Sequence, residues 1–111
     1  AHTCHGEPIA DCAALLDAHP QVVAVGVNCT APQHIGALVA AIRGATAKPI
    51  VVYPNSGEAW RAETGTWEGE ASCADFAQQA LGWRAAGASL IGGCCRTTPA
   101  HIAELAAALR P

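Results

Sequence analysis

Hydrophobic residues in this chain gather in three short, continuous runs. The runs are Val22 to Val27 (VVAVGV), Ile50 to Tyr53 (IVVY) and Ser89 to Gly93 (SLIGG). None of them alternates apolar with polar positions, which is typical of parallel strands that are covered on both faces. The pattern therefore predicts three buried parallel strands.

Four helical patterns lie before, between and after these strands, with apolar residues recurring at intervals of three and four positions. Their apolar positions are Ile9, Cys12, Ala13 and Leu16; Ile35, Leu38, Val39 and Ile42; Cys73, Phe76, Ala77 and Ala80; and Ile102, Leu105, Ala106 and Leu109. Capping signals agree with these helices. The predicted starts are Thr98 before Pro99, Thr30 with Gln33 and Ser72 with Asp75, and the predicted ends are Gly44 and Gly87.

The predicted order of elements is α-β-α-β-α-β-α, with Asn55 to Gly69 as one long loop. Strands that alternate with helices form right-handed βαβ units and a parallel sheet, so we predict the α/β class. Three parallel strands cannot close a barrel, which needs about 250 residues when complete. The length of the chain therefore indicates that further strands belong to the same fold.

Composition excludes several classes of protein. Hydrophobic residues make up 51% of the 111 positions and charged residues 14%, which argues against disorder. A net charge of −3 without a basic stripe argues against a nucleic-acid partner. No apolar run approaches the roughly 20 residues of a membrane helix, and the start of the chain lacks a signal-peptide pattern. Since the sequence contains no Met, we expect a fragment or a processed piece.

The six cysteines could indicate a secreted, disulfide-bonded module. However, Cys94 and Cys95 are adjacent, and adjacent cysteines rarely pair with each other. Cys12 and Cys73 fall on apolar helix faces, where a free thiol behaves as a small hydrophobic group. We therefore expect a reducing, cytoplasmic setting in which thiols are kept for metal binding.

Three of the cysteines follow directly after predicted strands, Cys29 after the first and Cys94 with Cys95 after the third. The carboxyl ends of parallel strands are where α/β folds place their active sites. These two strands would lie two steps apart, about 10 Å, so thiolates from both sides could hold one zinc ion. Gly92 and Gly93 would let the backbone turn, so that both neighbouring cysteines face the metal.

Zinc with three protein thiolates and one open position is typical of catalytic rather than structural sites. The open position could take a thiol substrate as its thiolate, which suits alkyl transfer to sulfur. A methyl donor of the sulfonium type would leave as a neutral thioether and would need no acid catalyst. The other thiols and imidazoles are expected to be structural or exposed, with adventitious metal binding by His2, Cys4 and His5 as an alternative. They are Cys4, Cys12, Cys73, His19, His34 and His101.

Three segments, VGVNC, KPIVVYPNSGE and GASLIGGCCRTTPAHI, closely resemble the homocysteine S-methyltransferase family in their order and spacing. The matching stretch runs from about Glu7 to Leu109. The resemblance implies that residues 1–111 are the C-terminal part of a (β/α)₈ TIM barrel, a partial barrel with its last three strands and about four helices. It also implies that Cys29, Cys94 and Cys95 are the ligands of a catalytic zinc ion.

The segment Tyr53 to Glu58 (YPNSGE) resembles the branch of the family that uses S-methylmethionine or S-adenosylmethionine. The resemblance therefore implies methyl transfer from such a donor to homocysteine, giving methionine. Asn28, Asn55 and Glu58 would then line the substrate mouth, with simple turn chemistry as an equal alternative for Ser56 and Gly57.

Two other interpretations remain open. The chain could be a non-catalytic, zinc-binding fragment or truncated product that self-associates, or that pairs with a missing N-terminal half of the barrel. It could also be a disulfide-bonded secreted module, which counting free thiols without reductant would reveal.

Overall fold

The structure is a computed structural model and describes residues 1–71 and 75–110. Its helices are α1 (Ile9–Asp17), α2 (Pro32–Arg43), α3 (Phe76–Ala86) and α4 (Pro99–Leu109). Its strands are β1 (Val25–Asn28), β2 (Ile50–Tyr53), β3 (Ala59–Arg61), β4 (Thr66–Glu68) and β5 (Ala88–Ile91). The α/β class and the four helices are confirmed, although the predicted positions Ser72 and Cys73 lie outside the described residues. Within the described ranges, no helix has the length and hydrophobicity that crossing a membrane requires.

Three strands form one parallel sheet in the order β1-β2-β5. Strands β1 and β2 pair in continuous register, from Val25 opposite Ile50 to Asn28 opposite Tyr53. The pairing of β2 with β5 shifts register between Ile50 and Val51. The predicted parallel sheet is thus confirmed, and β1 and β5 lie two steps apart with β2 between them.

Two of the predicted strands have different bounds in the structure. Strand β1 begins at Val25 rather than Val22, because the Val22 N–H bonds the carbonyl of His19 in a turn instead of joining the sheet. Strand β5 covers Ala88–Ile91, so Gly92 and Gly93 belong to the loop that follows it. An apolar run marks burial, whereas a strand is bounded by its pairing partners.

The helices cover one face of the sheet. Ile50 and Val52 of β2 are fully buried on that face, in a core shared with α2 and α3. The core side chains from those helices are Ile35, Val39, Ile42, Phe76, Ala80 and Trp83. On the opposite face Tyr53 is 38% exposed and Leu90 is 51% exposed. Within the described residues, the prediction that both faces are covered is therefore correct for one face only.

The segment predicted as one long loop, Asn55 to Gly69, contains an antiparallel hairpin of β3 and β4. Trp60 lies directly opposite Trp67, and their ring centroids are 5.6 Å apart. Gly65 has a φ of 65°, a left-handed conformation that glycine adopts without strain. The loop prediction was wrong because each strand has only three residues, too few to show a period, and a cross-strand aromatic pair stabilises them.

The ends of the helices follow the capping signals in part. Thr98 is the N-cap of α4 as predicted, and its backbone N–H donates to His101 Nδ1 at 3.0 Å. The His101 ring also packs edge-on against Phe76, so this residue joins α4 to the core. The predicted Thr30 cap is wrong, because Ala31 occupies the N-cap of α2 and the Thr30 hydroxyl donates to the carbonyl of Asn28. Gly44 and Gly87 end α2 and α3, as predicted.

Gly26 in β1 occupies a position that has no room for a side chain. A Cβ atom there would lie 1.7 Å from the carbonyl oxygen of Val51, which belongs to the paired strand. Since backbone cannot yield as a flexible side chain can, Gly26→Ala would force β1 and β2 apart. We expect the free energy of unfolding to fall by about 3 kcal/mol, measured by urea denaturation.

Gly36 supplies the matched control for this substitution. It lies within α2, and a Cβ atom there would meet nothing within 4 Å. Gly36→Ala should leave the stability unchanged or raise it by up to about 1 kcal/mol, because alanine favours the helix. If both substitutions changed the free energy of unfolding by a similarly small amount, the close approach of Gly26 to Val51 would not exclude a side chain.

Candidate metal centre

Three cysteines converge at the carboxyl edge of the parallel sheet. The sulfur atoms of Cys29, Cys94 and Cys95 all lie within 4.8 Å of one another, and those of Cys94 and Cys95 are 3.9 Å apart. Tetrahedral zinc with Zn–S bonds of about 2.3 Å requires sulfurs roughly 3.8 Å apart. The spacing therefore fits a metal ion after a small inward movement, and the thiol set suits a soft or borderline one.

Within residues 1–71 and 75–110, this is the one group of at least three His, Cys, Asp or Glu side chains close enough to hold a metal. The alternative cluster of His2, Cys4 and His5 does not meet that spacing there.

Cys29 is held in an uncommon backbone conformation. It follows β1 directly and has a φ of 45°, in the left-handed region that non-glycine residues seldom adopt. Its N–H donates to the carbonyl of Tyr53 at 3.0 Å, and its own carbonyl accepts from Asn55 Nδ2 at 3.0 Å. Asn55 is itself buried. These two bonds fix the turn that carries the first thiol.

The Cys94–Cys95 pair lies in the loop between β5 and α4, where a turn was predicted. The Cys94 N–H donates to the carbonyl of Pro54 at 2.9 Å, and the Cys95 carbonyl accepts from the Ser56 N–H at 3.1 Å. Thr97 closes the turn, since its N–H and its hydroxyl both donate to the Cys94 carbonyl, at 3.1 and 2.6 Å. The loop after β2 therefore positions the cysteines that follow β5.

A bidentate ion pair joins the same two loops. Arg96 donates from Nε and Nη2 to the two carboxylate oxygens of Glu58, at 3.0 and 3.2 Å. The Ser56 hydroxyl also donates to Glu58, at 2.7 Å. These hydrogen bonds, from Arg96 first and Ser56 second, hold the pKa of the Glu58 carboxyl below its usual range. Glu58 thus has a positioning partner in the structure, while its predicted contact with substrate stays a prediction.

A cleft of about 520 Å³ opens beside the cysteines. Its walls are Cys29, Asn55, Glu58, Trp60, Trp67 and Cys95. Two of the three predicted substrate residues, Asn55 and Glu58, therefore line this cleft, and their contact with substrate stays a prediction. Asn28 does not line this cleft; it lines a neighbouring one, of about 430 Å³, together with Cys29.

The two tryptophans of the hairpin were not predicted as site residues. The available signal was weak: Trp60 and Trp67 each stand among polar residues, with Gly65 between them. Such spacing is compatible with a short hairpin, but only the fold shows that the hairpin reaches the cysteines.

Metal-free protein is expected to react at Cys29 before Cys95. Burial alone would raise the pKa of the Cys29 thiol, but hydrogen bonds from Cys95, Cys94 and Asn55 leave that pKa below its ordinary value. The hydrogen bond with Cys29 and then that with Cys94 raise the pKa of Cys95 to about 11. Because the thiolate is the nucleophile, iodoacetamide at about pH 8 should label Cys29 first, although Cys95 is the more exposed residue.

The order of labelling is measured by peptide mass spectrometry over time, with the exposed Cys4 as an internal reference. Raising the pH towards 11 should narrow the difference in labelling rate between Cys29 and Cys95, since the Cys95 thiol then becomes ionised. Faster labelling of Cys95 than of Cys29 at about pH 8 would show that exposure, rather than thiolate content, decides the order.

Comparison with known proteins gives consistent matches. A family model described as homocysteine S-methyltransferase matches residues 1–109. Homocysteine S-methyltransferase 4 of Zea mays is 54% identical over 108 residues, which cover 95% of this chain and 32% of that protein. Homocysteine S-methyltransferase of Escherichia coli (strain K12) is 50% identical over 107 residues, covering 96% and 34% respectively. The chain spans about a third of the length of these curated relatives.

Solved structures agree with the sequence matches. The crystal structure of the Escherichia coli homocysteine methyltransferase MmuM in its oxidized form has a TM-score of 0.77 and 46% identity, over 96% of this chain and 32% of that one. The metallated form has a TM-score of 0.72 and 46% identity, over 92% and 30%. The likeness in structure therefore extends over the part of the chain that carries the three cysteines.

Proposed function

Because this chain belongs to the homocysteine S-methyltransferase family, we propose that it forms the metal-binding part of a zinc-dependent methyltransferase. The reaction moves a methyl group from a sulfonium donor, S-methylmethionine or S-adenosylmethionine, to the sulfur of homocysteine, giving methionine. The observation that carries this proposal is the convergence of Cys29, Cys94 and Cys95 beside an open cleft.

Zinc is the metal that the donor set favours. Three thiolates are soft ligands, and a set of three leaves a fourth position open, as catalytic zinc sites require. When bound there, zinc supplies the Lewis acidity that keeps a substrate thiol deprotonated at neutral pH. The chain's own contribution is to hold three sulfurs at the right spacing, through the bonds that Asn55 makes to Cys29 and that Thr97 makes to Cys94.

The chemistry then needs little else from the protein. The homocysteine thiol loses its proton to solvent when it binds. Its thiolate sulfur then attacks the methyl carbon, and a new S–C bond forms as the donor's S–C bond breaks. The electron pair of the broken bond stays on the donor sulfur, which leaves as a neutral thioether. No proton has to be delivered to it. Asn55 and Glu58 remain proposed contacts for the substrate, with Asn28 reaching it from the neighbouring cleft.

We further propose that residues 1–111 are the last strands of a (β/α)₈ TIM barrel in a cytoplasmic enzyme. The parallel order β1-β2-β5 and the sheet face left uncovered by the helices both support a barrel wall. Chain segments outside these residues, or a second chain, would then cover that face and bind the amino acid part of homocysteine.

A second candidate is a zinc-binding unit without catalysis. The chain matches only about a third of the length of its relatives, and this partial match favours the second candidate. Such a unit would self-associate, or pair with the rest of a barrel, through the uncovered sheet face.

A chimera separates the two candidates. In it, the chain replaces the matching third of the Escherichia coli relative, and methionine formation from homocysteine is measured with each sulfonium donor by mass spectrometry. The zinc-loaded chain alone and a Cys29→Ser chimera are run beside it. We expect methionine from the chimera and none from the Cys29→Ser form. A folded, zinc-loaded chimera that makes no methionine would favour the non-catalytic unit.

A further inference from the structure

The hairpin beside the metal centre has two unlike faces. Successive residues of a strand point to opposite sides, so the paired Trp60 and Trp67 share one face. Both tryptophans line the cleft that contains Cys29 and Cys95. The flanking residues take the other face, where Arg61 Nε and Glu68 Oε2 form an exposed ion pair at 2.9 Å. The hairpin therefore presents its rings to the cleft and its charges to solvent.

The two rings are arranged so that they leave surface available for a ligand. Their planes are tilted by 58° at a centroid distance of 5.6 Å, so neither ring stacks flat on the other. Trp60 is 54% exposed, an unusual position for a large apolar side chain that has no role in the core. Grouped exposed aromatic surface of this kind commonly marks a binding site.

The charge of the cleft selects the type of ligand. Among the described residues that line it, none is Lys or Arg. The carboxylate of Glu58 is paired with Arg96, which lies outside the lining, so the charge of the cleft depends on the three thiols. A divalent metal with three thiolates would carry a net charge of about −1, which would make the potential in the cleft negative. Ring faces are themselves negative and attract a cation within about 6 Å of the centroid. The cleft thus favours a cation with apolar substituents.

We propose that Trp60 and Trp67 bind the sulfonium centre of the methyl donor by cation–π contact, and so choose the charged donor over neutral thioethers. This inference rests on the proposed function, which supplies the donor. A sulfonium carries a permanent charge spread over its attached methyl and methylene groups, as the ring faces require. The product thioether has lost that charge, so the same two rings hold it weakly and release it.

Binding to the zinc-loaded chain tests the site without relying on turnover. The two ligands are S-methylmethionine and homoleucine, which has the same shape with a CH group in place of the sulfonium sulfur. Calorimetry should show that the wild-type chain binds S-methylmethionine about tenfold more tightly than homoleucine. The ratio of these two dissociation constants is the readout for the variants. Trp60→Leu and Trp67→Leu should each bring that ratio towards one, whereas Trp60→Phe should retain part of it.

Trp83→Phe is the matched control, because Trp83 is 4% exposed in the core and lies outside the cleft. For this variant, the ratio of the two dissociation constants should equal that of the wild type. The zinc content per chain should be the same in every variant. The proposal is overturned if the wild type binds both ligands equally, if it binds no sulfonium, or if both leucine variants keep the wild-type ratio.

The outcomes also separate this site from the proposed function. In one outcome, the chimera makes no methionine but binds the sulfonium selectively, and the leucine variants lose this selectivity. That result would support the aromatic site and contradict the proposed methyl transfer. In the other outcome, a chimera that carries both Trp60→Leu and Trp67→Leu still forms methionine, with an unchanged KM for the donor. That result would support the methyl transfer and overturn the aromatic site.

Discussion

Cys95→Ser should weaken zinc binding by about a thousandfold or more, whereas Cys12→Ser should leave it unchanged. The free energy of zinc binding at structural sites is roughly 10 to 16 kcal/mol, so the loss of one of three sulfurs should remove several kcal/mol. Each tenfold change in the dissociation constant corresponds to about 1.4 kcal/mol. A serine hydroxyl cannot replace the sulfur, because it stays protonated at neutral pH and is a poor ligand for zinc.

Cys12 is a suitable control because it is another free thiol, half-buried as Cys29 is, and it lies in α1, outside the group of three. The dissociation constant is measured by competition with a chelator under reducing conditions, together with zinc per chain after dialysis. Cys29→Ser should behave as Cys95→Ser does. Equal losses in Cys12→Ser and Cys95→Ser would show that these cysteines are not the ligands.

Gly93→Ala is expected to reduce metal affinity by about 10- to 100-fold, an effect typical of disturbing the groups that orient a ligand. A Cβ atom at Gly93 would lie 2.3 Å from the Thr97 hydroxyl oxygen and 2.9 Å from Thr97 Cβ. Thr97 would have to move, and it is the residue that holds the Cys94 carbonyl in place. The displacement would therefore reach the two neighbouring thiols.

The preceding residue provides the comparison. At Gly92 the same added atom would lie 3.9 Å from Tyr53 Cβ, an ordinary contact, so Gly92→Ala should bind zinc almost as the wild type does. Both variants are titrated with zinc against a chelator, and their far-ultraviolet circular dichroism is compared to verify folding. Equal affinities in folded Gly92→Ala and Gly93→Ala would exclude the contact with Thr97 as the cause.

The convergence of the three cysteines could be predicted from the sequence because their position depends on strong, local signals. Apolar runs located the strands, and parallel strands bring their carboxyl ends to one edge, so Cys29, Cys94 and Cys95 had to approach each other. The buried faces of α2 and α3 followed from their periodicity in the same way. In each case a short stretch of sequence determined the outcome.

Other features depended on contacts that no local pattern records. The hairpin is stabilised by Trp60 against Trp67, and its three-residue strands have no measurable period. His101 looked like an exposed residue, but its role comes from Phe76 on another helix. Asn28 precedes Cys29, yet it faces a different cleft, because neighbouring residues at a strand end need not share a side.

The carbonyls of Tyr53 and Pro54, consecutive residues at the end of the middle strand, accept the N–H groups of Cys29 and Cys94. The cysteine-bearing turns that follow the two outer strands are thus both hydrogen-bonded to one short piece of backbone. A slip of either outer strand by one residue would turn its thiol to the other side of the sheet. Only the correctly paired sheet could then bind a metal ion, and by mass action the ion would shift the folding equilibrium towards that sheet. A bound metal ion would therefore favour the correct alignment of the strands, in addition to its proposed role in the reaction.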